Sequence, residues 1–235
     1  MTKLLAVCCI AMFAGFAIPT SAQEKPQPLR LTQTVPLPGV KGRLDHIGVD
    51  PEKKRLFVAA VTNDTLEVVD LTGGKVINSL VGFKDAQDAL FLGGDFNKLY
   101  VTSLDGHVRV FQGDTFRPVQ DFKVEAGPNR LFHDPATNLI YFGYGGQMAG
   151  NNASARVGIL RPKRGAGDDQ LVAAMIVPTP RPGHLAEIAM DDNGILLVCD
   201  SLADLIFNST RRSANSSRVG PLAGCGKMQY LRSAL

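Results

Sequence analysis

One short pattern recurs through this chain and constrains its fold more than any other feature. Arg55-Leu56-Phe57-Val58, Lys98-Leu99-Tyr100-Val101, Leu139-Ile140-Tyr141-Phe142 and Leu196-Leu197-Val198 align, and the anchors Leu56, Leu99, Ile140 and Leu197 are 43, 41 and 57 residues apart. The first copy is the clearest. Between Arg43 and Leu80 lie the apolar runs Ile47 to Val49, Leu56 to Val61, Leu66 to Val69 and Val76 to Leu80, separated by Asp50-Pro51, Asn63-Asp64 and Gly73-Gly74. Four short strands joined by tight turns make an antiparallel meander, which cannot bury both faces alone. A four-stranded unit recurring every 40–45 residues or so is the signature of a β-propeller blade. A sandwich or jelly roll also strings short strands together, but it does not place turn dipeptides in register. Here Asp50-Pro51, Asp134-Pro135 and Asp191-Asp192 each begin six residues before an anchor. The expected fold is all-β, a propeller of four-stranded antiparallel blades with about four blades present.

Residues 1–22 read as a cleaved secretory signal: Lys3, the apolar run Leu4 to Ile18, then Pro19-Thr20-Ser21-Ala22. The run is short of the roughly 20 apolar residues that a membrane span needs. The expected location is periplasmic or secreted, with no stable membrane anchor after cleavage. Residues 23–42 form an N-terminal segment in which the alternation of Leu29 to Pro36 predicts one strand, of the kind that completes the last blade of a closed propeller. Residues 43–207 hold the blades: Arg43 to Leu80, Asp88 to Val124, Asn129 to Val177 and one starting at His184. The long third interval reflects loop insertions at Gly143 to Ser154 and Pro162 to Asp169. Residues 208–235 read as an irregular tail, because NSTRRSANSSR from Asn208 has no apolar residue except Ala214.

Charge excludes one class of partner. Lys3 is the leader's only charged residue, so the mature chain keeps 24 basic against 22 acidic side chains, a net +2. Its basic clusters, Lys53-Lys54-Arg55 and Arg161-Pro162-Lys163-Arg164, are short and fall at turns or loops, so no nucleic-acid partner is expected. Cys8 and Cys9 leave with the leader, and Cys199 and Cys225 are left either to form one bridge or to remain thiols. No G-x-S-x-G, H-E-x-x-H, Walker loop, haem attachment site or EF-hand loop occurs, and Gly143-Tyr144-Gly145-Gly146 is not followed by a helix as a dinucleotide fingerprint requires. No cofactor and no catalytic residue is expected on these grounds. The chain has no Trp, which separates it from propellers carrying the repeated Trp-Asp dipeptide.

Tyr100-Val101-Thr102-Ser103, in register with Phe57-Val58-Ala59-Ala60 and Tyr141-Phe142-Gly143-Tyr144, resembles the Tyr-Val-Thr-Asn motif of the YVTN-repeat, YncE-like propellers. Gly42-Arg43-Leu44-Asp45-His46-Ile47 looks like an exported branch of that group. The resemblance covers about residues 34 to 206 and is more specific for fold than for function. It implies an architecture similar to quinoprotein amine dehydrogenase heavy subunits and surface-layer propellers. It also implies a ring of about seven blades, whereas about four are seen here.

Repeat register points to a site. Ten residues before the anchors lie His46, Ala89, Arg130 and Glu187, and one earlier lie Asp45, Asp88, Asn129 and Ala186. Equivalent positions in successive blades surround the propeller axis, so these polar side chains converge beside the central channel. His46, Arg130 and Glu187 supply a titratable group, a fixed cation and a carboxylate, suited to an anionic or zwitterionic small molecule. The competing reading is that Asp45, Asp88 and Asn129 cap turns around a wet channel. His184 is a secondary candidate on the same rim. His107 is expected exposed at a hairpin tip, and His133 is expected to cap a turn. The function expected is a non-enzymatic binding or interaction module for a small anionic molecule or a protein. The alternative is a propeller enzyme, either a quinoprotein-like oxidoreductase subunit or a metal-dependent lactonase using Glu187, Asn129 and Asp88. Loss of blade pattern after Phe207 is expected to leave an open arc prone to self-association through its end blades, as an early stop or frame change in a longer gene would produce.

Overall fold

The computed structural model describes residues 29–150, 153–165, 167–177, 183–202, 205–210 and 218–220. The chain divides into the compact units Met1–Thr32 and Gln33–Leu235. The expected leader and Cys225 lie outside the described residues. In the first unit residues 29–32 are irregular, with Leu29 and Leu31 exposed.

The second unit holds four antiparallel sheets, each with its four strands hydrogen-bonded in chain order. Blade one is β1 (Leu44–Asp50), β2 (Arg55–Ala60), β3 (Thr65–Asp70) and β4 (Lys75–Val81). Blade two is β5 (Ala86–Leu92), β6 (Lys98–Ser103), β7 (His107–Gln112) and β8 (Pro118–Lys123). Blade three is β9 (Leu131–Asp134), β10 (Leu139–Gly145), β11 (Ala155–Arg161) and β12 (Gln170–Ile176). Blade four is β13 (Leu185–Met190), β14 (Ile195–Asp200), β15 (Leu205–Thr210) and β16 (Arg218–Gly220). The sheets stand in a ring, so the described residues form a four-bladed β-propeller.

Three apolar interfaces hold successive blades together, because a meander must cover its apolar face with another sheet. Phe57, Leu66 and Val68 of blade one meet Leu99, Val101 and Phe111 of blade two. Tyr100, Val108 and Val110 meet Ile140, Phe142 and Leu160 of blade three. Tyr141, Ala155 and Val157 meet Leu185, Ile188, Leu196 and Val198 of blade four. Near the axis the backbones touch closely enough to require glycine. A Cβ on Gly48 would stand 2.4 Å from the Ala89 carbonyl oxygen, and one on Gly143 would stand 2.5 Å from Leu185 Cβ.

Buried cations repeat at the first residue of the second strand. In blade one Arg55 is held by Asp50 at 2.6 Å, stacks over Phe57, Phe91 and Phe116, and donates to the Gly113 carbonyl of blade two. In blade two Lys98 reaches Asp169 at 2.7 Å and the Lys163 and Gly167 carbonyls of blade three. Tyr100 also donates to Asp169, at 2.7 Å. The insertion from Pro162 to Asp169 is therefore the β11–β12 loop, pinned onto blade two. Both short basic clusters make internal contacts: in the first Lys53 pairs with Asp114 and Arg55 is buried, and in the second Arg164 lies 3.7 Å from Asp95 and over the Phe96 ring.

Several expectations change. Residues 29–36 form no strand, because alternation creates only a candidate and a strand exists only where an edge accepts it. The blade pattern does not stop at Phe207: β15 runs to Thr210, with Ile195 opposite Thr210, and Arg218–Gly220 adds the fourth strand. Ladder hydrogen bonds need no apolar side chain, so a polar run extends a sheet when its neighbour is already ordered. Of the other insertion, Gly143 to Gly145 belongs to β10 and Gly146–Ala149 is a 3-10 turn. His107 begins β7 and its Nδ1 lies 2.9 Å from Asp121, so it is not an exposed tip residue. His133 lies within β9 opposite Ile140, where burial lowers its pKa. Cys199 is disulfide-bonded.

Candidate functional site

Strand pairing defines the axial row more accurately than chain offset does. The fourth anchor is Leu196 rather than Leu197, since Met190 pairs with Leu196 as Val49 pairs with Leu56 and His133 with Ile140. Two residues beyond the anchors stand Val58, Val101, Phe142 and Val198, whose inner-strand partners are Ile47, Ala89, Leu131 and Ile188. The residues immediately before those partners are His46, Asp88, Arg130 and Glu187. Asp88 thus takes the place that offset assigned to Ala89. The first turn of blade two is one residue longer than that of blade one, with Leu92 opposite Lys98 where blade one has Asp50 opposite Arg55.

These four residues alternate in charge around the axis. His46 Nε2 lies 2.7 Å from Glu187 Oε1, Glu187 Oε2 lies 3.7 Å from Arg130 Nε, and Arg130 Nη1 lies 3.3 Å from Asp88 Oδ1. Asp88 also accepts from the Leu131 and Ala89 backbone N–H groups, at 2.8 Å each. Burial pushes the Asp88 carboxyl up to about 6, against the opposing pull of Arg130 and these N–H donors. The Glu187 carboxylate raises the pKa of His46, opposed by burial and assisted by the charges of Asp88 and Asp45. His46 Nδ1 faces Asp45 Oδ1 at 3.2 Å and the Gln87 carbonyl at 3.3 Å. Acceptors on both ring nitrogens suit the charged imidazolium, which donates from both.

The remaining expected residues lie beside this ring. Asp45 accepts from Arg43 at 2.8 Å. Asn129 is buried, and its Nδ2 lies 3.2 Å from His184 Nε2. Burial lowers the His184 pKa, which favours the neutral imidazole able to accept from that amide. A cavity of about 470 Å³ opens at this end of the axis, with Asp45, His46, Asn129, His184 and Glu187 in its wall. Arg130 and Asp88 belong to the charge ring but not to that wall. Arg43, Gln87, Leu104, Gln147, Met148 and Leu202 also line the cavity and were missed by sequence reasoning. Several come from loops after second strands, whose convergence follows from blade packing and carries no periodic signal. Arg43 had a signal, its place two residues before Asp45.

The residues do not fit a Ca²⁺ site, which needs several oxygen donors free to turn on one point. Asp88 and Glu187 already accept from N–H groups, and the Arg130 guanidinium occupies the space between them. Among the described residues no three His, Cys, Asp or Glu side chains are grouped to hold a metal.

No family model matches the chain, and no curated protein sequence matches it significantly. The likeness lies in solved structures. A candidate 6-phosphogluconolactonase from Bacteroides uniformis superposes with a TM-score of 0.57 at 11% identity, over 80% of this chain and 58% of that one. The WD40 β-propeller domain of Doa1 superposes with a TM-score of 0.55 at 14% identity, over 76% of this chain and 54% of that one. At these identities the likeness is one of fold alone. The chain spans little more than half the length of either neighbour.

Proposed function

We propose that the axial cavity binds a small zwitterionic molecule, and that the chain is an exported, YVTN-type propeller acting as a binding module without catalysis. The observation that carries this reading is the charge balance of the cavity wall. Arg43 and charged His46 stand against Asp45 and Glu187, two cations and two carboxylates within one opening. A ligand bearing both charges can exchange with these pairs while leaving no buried charge alone, whereas a simple anion would meet two carboxylates. With acceptors on both ring nitrogens, His46 in its charged form lacks the free nitrogen of a general base. Export rests on the leader over residues 1–22, and sequencing of the mature N-terminus tests it by reading Gln23 first.

The binding test is a thermal-shift and calorimetric screen of zwitterions and anions against the mature protein and Glu187→Gln. A zwitterion at about 100 times its dissociation constant adds about 2.7 kcal/mol of stability. Glu187→Gln is expected to weaken that ligand about tenfold or more. Stabilisation by no zwitterion overturns the reading, and so does undiminished binding by the variant. A propeller lactonase is the second reading, favoured by the name of the Bacteroides uniformis neighbour. Hydrolysis of a sugar lactone by the purified protein, lost in His184→Ala, would replace the first reading with it.

A further inference from the structure

The wall of the axial cavity is divided by chemistry as well as by element. Its charged members stand on inner strands or just before them, and opposite charges alternate in contact: Arg43 to Asp45 at 2.8 Å, Asp45 to His46 at 3.2 Å and His46 to Glu187 at 2.7 Å. Its large apolar members, Leu104, Met148 and Leu202, come instead from the loops between the second and third strands of blades two, three and four. Met148 and Leu202 are 39% and 37% exposed, so apolar surface meets water at the cavity's edge. The equivalent loop of blade one, Val61–Asn63, is hydrogen-bonded to residues 39–43. Asn63 Nδ2 donates to the Gly39 carbonyl at 3.0 Å and Thr62 Oγ1 to the Lys41 carbonyl at 2.7 Å. In return Asn63 Oδ1 accepts from the Lys41 N–H at 2.8 Å and Thr62 Oγ1 from the Arg43 N–H at 3.1 Å. These bonds bring Arg43 to the wall on the one blade whose own loop contributes no apolar side chain to it.

We propose that the ligand of this cavity is an α-amino acid with an apolar side chain. Its ammonium and carboxylate join the charges from Arg43 to Glu187, and its side chain lies against Leu104, Met148 and Leu202. The inference rests on the zwitterion reading above and narrows it. A ligand entering an alternating series exchanges with neighbouring members, which favours a cation and an anion held close together, as they are in an α-amino acid with a single carbon between them. The apolar side chain follows from the loops, because covering Met148 and Leu202 takes apolar surface of both partners out of water. Among the described wall residues there is no Phe, Tyr or Trp, so the site lacks the aromatic rings that recognise a quaternary ammonium. A cavity of about 470 Å³ falls within the range of small-molecule sites.

Calorimetric titration of the mature protein with L-leucine, glycine and 6-aminohexanoic acid tests it. The last is an isomer of leucine whose two charges sit at opposite ends of the chain. L-leucine is expected to bind about tenfold or more tighter than either, the scale of one apolar side chain taken out of water. Met148→Ser and Leu202→Ser are each expected to narrow the preference for leucine over glycine about fivefold or more. Both side chains are exposed at the cavity's edge, so neither change opens a hole in a core, and a ratio of two affinities is insensitive to a general loss of folded protein. Glycine or 6-aminohexanoic acid binding as tightly as leucine, and weakened by Glu187→Gln, overturns this inference and leaves the zwitterion reading standing. An unchanged preference in both serine variants overturns it in the same way. Binding of none of the three, and of no other zwitterion, overturns both.

Discussion

His46 of blade one and Glu187 of blade four are 141 residues apart in the chain, and their side chains meet at 2.7 Å. The blades on either side of this contact are the first and last of the four described, so one hydrogen-bonded ion pair ties these two blades across the axis. Successive blades are held by broad apolar interfaces, while the described ends meet through a charge whose strength depends on pH.

His46→Ala is expected to cost about 1–2 kcal/mol, since a charge-assisted hydrogen bond is partly screened by solvent here. The pKa of His46 is raised in the folded protein, so its contribution is complete below pH 6.5 and is lost as pH rises through the folded value. Urea denaturation in mildly acidic and alkaline buffers checks this. The gap between wild type and variant should close in alkali.

Asp88 carries the opposite sign of effect at neutral pH. Its folded pKa of about 6 exceeds the ordinary 3.8, so between these values the folded state holds a proton that the unfolded state has lost. Stability then falls as pH rises through that window, by about 3 kcal/mol, and the whole cost is present above it. Asp88→Asn is expected to flatten that slope in denaturation curves taken across the window.

Asp169→Ala leaves the Lys98 ammonium buried without its carboxylate. A loss of about 3–5 kcal/mol is expected, measured by chemical denaturation. The β11–β12 loop should loosen with it, read as faster trypsin cleavage after Lys163 or Arg164.

Leu99 and Leu56 occupy the same register position, but Leu99 is fully buried and Leu56 half-buried. Leu99→Ala is expected to cost about 2–5 kcal/mol, and Leu56→Ala measurably less in dilute protein. Equal losses would show that Leu56 is packed as closely as Leu99.

Much of the architecture was legible because strand periodicity and turn chemistry are local. Asp50, Asp134 and Asp191 do mark the first turns of their blades. The recurrence of Leu56, Leu99 and Ile140 does place them at one level of the cores. Reading by fixed offset failed where a turn changed length. One extra residue after Phe91 moved Asp88 into the axial row, and a shorter turn after Met190 moved the fourth anchor to Leu196. At Asn208 the polar composition of the run was weighed against a strand, and the ready partner in β14 outweighed it.

The sequence alone determined the repeating unit, the faces of each sheet and three of the four charged residues around the axis, because each follows from alternation within a few residues. Tertiary structure alone decided that His46 meets Glu187, that the loops bearing Leu104, Met148 and Leu202 wall a cavity, and that Ile47 is more exposed than its counterparts Ala89, Leu131 and Ile188. Those outcomes depend on how far each sheet rotates against the one before it. That rotation is set by side-chain packing between residues 40 or more apart, a property that no local pattern encodes.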